Sequence, residues 1–195
     1  MKRVLLSILT LLLSVCVNAQ TESPHLTFKG VPIDGTLNQF VANMKVKGFT
    51  GDVKKDGTAI LKGDFAGYKG CAIMVSTLQN KDLVSMISVV FPKHDTWGNL
   101  EGNYLKLKEM LTTKYGNPAE VIEEFKESYY SKDDNSKMTA LFLDGCDYQT
   151  VFQIEKGVIV LKLFHGENYG SGHVILGYYD KINCVEVESA AMDDL

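Results

Sequence analysis

The side chains best suited to chemistry gather around one glycine-rich segment, His165-Gly166-Glu167-Asn168-Tyr169-Gly170-Ser171-Gly172-His173. Two imidazoles and a carboxylate are donors that a zinc ion accepts. If the flanking strands pair across this loop, His165, His173 and Glu167 face a common cation. The spacing matches no established metal motif, however, and the segment reads first as a hairpin tip. A thiol nucleophile would need a nearby base and a setting that stabilises the thiolate, such as a helix N-terminus. Cys71 and Cys146 instead begin apolar strand-like runs, so pairing either one with His94, His165 or His173 has only formal support. Glu123-Glu124 and Asp133-Asp134 are candidates for acid–base work or cation binding. Adjacent strand residues point to opposite faces, so Glu123 and Glu124 do not converge. Lys132-Asp133-Asp134-Asn135 reads as a solvated turn between strands. No Asp-x-Asp-x-Asp-Gly calcium loop occurs. Nor does a helix follow the glycine-rich segment to hold a phosphate on its N–H groups. No catalytic, cofactor-binding or metal-ligating residue is assigned, and no cofactor is expected.

Aromatic side chains offer a different kind of site, because flat rings give contact area at low entropic cost. Tyr104 and Tyr148 fall at alternating or periodic positions that fill a core. Trp97, Tyr129 and Tyr130 lie near the ends of expected elements, and Tyr169 lies in the hairpin tip. These four are the expected surface contacts.

Such residues need elements to hold them. A helix is expected from about Leu37 to Lys47. Thr36 and Gln39 can form a capping box at its start, Leu37, Phe40, Val41 and Met44 share one face, and Gly48 ends it. A second helix is expected from about Asn99 to Tyr115. Leu100, Tyr104, Leu107 and Leu111 make its apolar stripe, and Gly116 and Pro118 stop it. The remainder reads as strands: Thr58–Gly63, Gly70–Thr77 and Leu83–Phe91, then Val121–Tyr130, Lys137–Leu143, Tyr148–Ile154, Val158–His165 and His173–Asp180. Short connections between them imply antiparallel pairing.

The pattern repeats. Each half has a helix and then strands, and Gly70-Cys71 and Gly145-Cys146 each open a strand, 75 residues apart. The expected fold class is α+β. Two tandem helix-plus-antiparallel-sheet repeats form one continuous sheet or two abutting sheets, with helices packed on one face. Their bounds are residues 20–95 and 96–183, before an acidic tail over 184–195. The helix ending Leu111-Thr112-Thr113-Lys114-Tyr115-Gly116-Asn117-Pro118, and the strand pattern after it, resemble the beta-lactamase inhibitor protein-like architecture of exported bacterial proteins. That resemblance covers most of Leu26–Asn183. It implies a fold and transmits no contact residues.

Residues 1–19 read as a signal peptide. Lys2 and Arg3 are followed by an apolar stretch from Val4 to Val17, and Val17-Asn18-Ala19 places small residues before a cleavage point at Gln20. The stretch is short of the ~20 apolar residues a spanning helix needs. Leu13-Ser14-Val15-Cys16 loosely resembles a lipobox, and anchoring through Cys16 is the alternative. Without Lys2 and Arg3, 18 of the 20 basic side chains remain against 24 acidic ones, a balance of −6. Lys54-Lys55 is the only adjacent basic pair in the mature chain, which argues against nucleic acid as a partner. No second run is long enough to cross a membrane. Cys71, Cys146 and Cys184 cannot all pair internally, and buried small hydrophobes lead over a single bridge. The sequence therefore points to an exported protein, periplasmic or secreted, that binds another envelope protein or a glycan without catalysis. The alternative is an enzyme with its site between the two halves.

Overall fold

A computed structural model describes residues 23–54, 57–78, 81–126, 133–167 and 169–184. The signal segment, Tyr129, Tyr130 and the acidic tail beyond Cys184 lie outside the described residues.

A small hairpin comes first. Its strands, β1 (Thr27–Phe28) and β2 (Val31–Pro32), are joined by Lys29 and Gly30 at φ 53° and 76°. Paired left-handed residues make the two-residue turn whose twist suits a hairpin. Helix α1 (Leu37–Val46) follows, with Leu37, Phe40, Val41 and Met44 buried. Its capping box has the expected form: Gln39 N–H donates to Thr36 Oγ1, and Thr36 N–H donates to Gln39 Oε1. Asp82 adds a third acceptor from across the fold, taking the Leu37 N–H at 2.8 Å.

Four strands come next: β3 (Thr50–Val53), β4 (Ala59–Phe65), β5 (Tyr68–Thr77) and β6 (Val84–Val90). Helix α2 (Trp97–Tyr115) opens the second half and buries Leu100, Tyr104, Leu107 and Leu111, the stripe expected from their spacing. Then follow β7 (Glu120–Phe125), α3 (Asp134–Phe142), β8 (Cys146–Ile154), β9 (Gly157–His165) and β10 (Gly172–Asp180). A helical turn covers 181–184.

All eight strands from β3 to β10 form one antiparallel sheet in the order β3-β4-β5-β6-β10-β9-β8-β7. Each half supplies four consecutive strands, and the two last strands, β6 and β10, join the halves. The helix-plus-meander plan thus occurs twice in one continuous sheet.

Two expectations are corrected. The segment expected as the strand Lys137–Leu143 is helical through Phe142 in α3, where Met138, Ala140 and Leu141 are buried. A short apolar run fits either period, and Asp133 decides here by accepting the Ser136 N–H at 2.9 Å as an N-cap. The Gly-Cys pairs do not mark equivalent positions either. Cys71 lies inside β5, the third strand of its half, whereas Cys146 opens β8, the second of its half. The repeat is one of strand order and not of that dipeptide.

The core lies between the sheet and its helices. Ile73, Val75, Ile87, Val89, Leu161 and Leu176 are at most 1% exposed on one sheet face. On that same side, a Cβ built on Gly172 would meet Leu100 of α2 and Leu141 of α3. The β1–β2 hairpin also packs there, with Phe28 stacked on Phe65 at 5.1 Å and edge-on to Tyr178 at 5.4 Å.

Candidate functional site: the open face of the sheet

The other face carries none of α1, α2 and α3; among the described residues the helical turn over 181–184 reaches it at one end. Its side chains are the alternate residues of the same strands. Pairing runs unbroken across all eight strands in one row: Asp52, Ile60, Met74, Ser88, Gly177, Val160, Val151 and Glu120. The neighbouring row runs Thr50, Lys62, Ala72, Val90, Ile175, Lys162, Gln149 and Ile122. Ile60, Val90, Ile175, Val160 and Val151 are only half-buried, and Met74 and Phe164 are 45% and 46% exposed. An apolar centre with polar ends is the anatomy of an interface patch.

Ser88 and Gly177 pair across the junction of the halves. A Cβ on Gly177 would stand 2.8 Å from a ring carbon of Tyr179, so the tyrosine ring lies down over the glycine. Burial pushes the Tyr179 phenol above its ordinary pKa, with Cys184 adding to the shift. Beside it, Tyr179, Val158, Gln153 and Cys184 border a depression of about 350 Å³ at the end of the face.

The residues singled out by chemistry are dispersed. His173 pairs with Phe164, and His165 pairs with Gly172, so the two imidazoles point to opposite sides and share no cation. His165 stacks on Phe164 at 4.7 Å, and its Nδ1 lies 2.9 Å from Gly166 O. His173 Nδ1 lies 2.8 Å from Phe91 O. His94 Nε2 lies 3.1 Å from Asn103 Nδ2, and burial, reinforced by His173, lowers its pKa. No group of three His, Cys, Asp or Glu residues among the described residues is placed to hold a metal ion. Cys71, Cys146 and Cys184 are not bridged to one another. Burial pushes the Cys71 thiol up and the Cys146 thiol up to about 11, the reverse of what a nucleophile requires.

Three of the four paired carboxylates, Glu123, Asp133 and Asp134, serve the fold. Glu123 takes the Lys108 ammonium at 2.6 Å on the helix side, while Glu124 stands opposite Asp147 on the open side. Asp133 caps α3. Asp134 caps α2, accepting the Trp97 and Gly98 N–H groups at 2.8 and 2.9 Å. The anion sits where the helix dipole and unpaired donors favour it.

Of the aromatic candidates, Trp97 is no surface contact. It is 2% exposed and packs against Phe125 and Tyr148 at 5.0 and 5.2 Å, because α2 begins two residues earlier than its periodicity suggests. Tyr169 is 67% exposed, but its hydroxyl meets Thr139 Oγ1 at 2.6 Å and its ring meets Phe142 edge-on. The hairpin tip is therefore pinned to α3.

One polar centre gives no signal in the sequence. Asp180, fully buried at the end of β10, accepts the Leu26 and Asn183 N–H groups and faces His25 Nδ1 at 3.1 Å. His25 Nε2 lies 3.5 Å from Asp34. Asn183 in turn donates to Ile33 O and Val84 O. The two ends of the described chain are clasped together, since the His25–Asp180, Leu26–Asp180 and Ile33–Asn183 contacts join residues 150 to 155 positions apart.

Comparison with protein-family models, curated proteins and solved structures returned no match to this chain. Among the described residues, no helix is long and apolar enough to cross a membrane.

Proposed function

We propose that this chain is an exported, non-enzymatic binding protein of the bacterial envelope, and that the face of its sheet opposite α1, α2 and α3 is the binding surface. The observation that carries the reading is the row from Ile60 to Val151, in which Ile60, Val160 and Val151 are half-buried and Met74 is 45% exposed on a face that no described element seals. Leaving such a row open costs hydration free energy that docking recovers. The dispersal of histidines and the raised thiols support binding over catalysis. Export rests on the features of residues 1–19, with a periplasmic or secreted destination and Cys16 anchoring as the alternative. The beta-lactamase inhibitor protein-like resemblance supports the architecture of the reading and names no partner.

The test is co-purification of the tagged full chain from its native envelope, in parallel with Val160→Asp. The expected result is a macromolecule retained by the wild type and lost from the variant, with both melting alike. Retention by Val160→Asp, or attachment through the helices, would rule out the open face.

A further inference from the structure

We propose that the partner of the open face is a protein surface with an apolar centre flanked by two carboxylates about 19 Å apart, which Lys62 and Lys162 receive. This rests on the reading of the open face as a binding surface. The distance is four strand spacings of roughly 4.8 Å, since Lys62 lies on β4 and Lys162 on β9 with β5, β6 and β10 between. In register, Ala72, Val90 and Ile175 fill the row between the two lysines.

Neither ammonium has a carboxylate within 4.0 Å among the described residues. Asp52, on the adjacent strand β3, is already held by Lys45 at 2.6 Å. Lys162 Nζ sits 5.9 Å from the Phe164 ring centroid, a contact that steadies the cation without neutralising it. The expected mature chain carries a balance of −6, yet these two cations stand inside the apolar field while Asp52 and Glu120 stand on the edge strands. Charge placed this way sets orientation and excludes wrong partners. A membrane surface fits less well, because anionic headgroups recruit clusters of cations and these two lysines stand four strands apart on a chain whose expected mature balance is acidic.

The experiment places a photoreactive benzoylphenylalanine at Met74 or at Phe164 in the full chain and crosslinks in native cells. The expected result is a discrete protein adduct that falls at least tenfold in Lys62→Glu/Lys162→Glu and persists in Lys62→Arg/Lys162→Arg, with the melting temperature unchanged. Once the adduct is identified by mass spectrometry, Asp/Glu→Lys at its contact surface should restore adduct formation with the charge-reversed chain. Three results would overturn the carboxylate assignment and leave the open face as the binding surface: an adduct indifferent to charge reversal, an adduct at twice the chain mass, or lysine-dependent flotation with phosphatidylserine vesicles. No adduct at either position would overturn both.

Discussion

Leu161 and Val160 are neighbours on β9, yet they live in different solvents. Leu161 is 0% exposed under the helices, and Val160 is half-buried on the bare side of the same sheet. The difference recurs on β5, where Ile73 and Val75 are sealed while Met74 between them is 45% exposed. Antiparallel sheets commonly present one apolar and one polar face. Here both faces are apolar at the centre, and among the described residues only one is covered by the helices. One face holds the fold together, and no described element seals the other.

The largest test of that contrast is a pair of truncations on one strand. Leu161→Ala should cost about 3 kcal/mol, the lost transfer energy plus a cavity among residues that cannot collapse into it. Val160→Ala should cost less than about 1 kcal/mol, because water already reaches its side chain. Chemical denaturation of both variants measures the gap. Equal costs would mean the open face is covered in solution.

A smaller effect probes the polar seam under α2. Tyr104 Oη and Thr150 Oγ1 meet at 2.6 Å in a site where both residues are 0% exposed. Tyr104→Phe should cost about 1–2 kcal/mol by leaving the threonine hydroxyl unpaired, and adding Thr150→Val should recover part of that loss. The same site sets a pH dependence. Burial pushes the Tyr104 phenol up to about 12, so the folded chain keeps its proton where the unfolded chain gives it up. Stability is therefore full below pH ~10 and declines as pH rises toward 12. Denaturation midpoints of wild type and Tyr104→Phe across that window should converge as pH rises.

How much of this was legible follows from the same contrast. The α1 capping box and the α2 stripe are local patterns, and both were readable because neighbouring residues carry them. The α3 segment was misread because Met138, Ala140 and Leu141 fit two periods, and the cap that decides lies outside the apolar run. The β1–β2 hairpin and β3 were missed because strands of two and four residues leave too little alternation. Trp97 was misplaced by a helix boundary. The open face has no local signature. Its rows depend on the register of eight strands, which no local pattern specifies. The Asp180–His25 clasp joins residues 155 apart and is equally silent.

Thiol chemistry sharpens the comparison without disturbing the fold. The native Cys71 is fully buried, and Cys146 faces the same side in half-burial with its thiol pushed up to about 11. At pH 8 both should alkylate slowly, since the thiolate is the reactive form. A Val160→Cys thiol on the open face should react at least tenfold faster than Cys71 in the folded chain, read by mass spectrometry of labelled peptides. Similar rates would remove the distinction between the faces.

The smallest expected effect lies at the centre of the open face. Gly177→Ala places a methyl where the Tyr179 ring now rests, 2.8 Å from its edge. The glycine is extended and not left-handed, so the backbone accepts alanine without strain. The ring is the far end of a flexible side chain and can swing away, which limits the stability cost to about 0.5 kcal/mol or less, partly offset by alanine's lower unfolded-state entropy. The swing itself should be measurable. Tyr179 leaves its half-buried setting, and its phenol, held up by burial, should ionise at lower pH in the variant by absorbance titration. A variant that loses several kcal/mol instead would show that Tyr179 is packed under something, and that the face is not open at its centre.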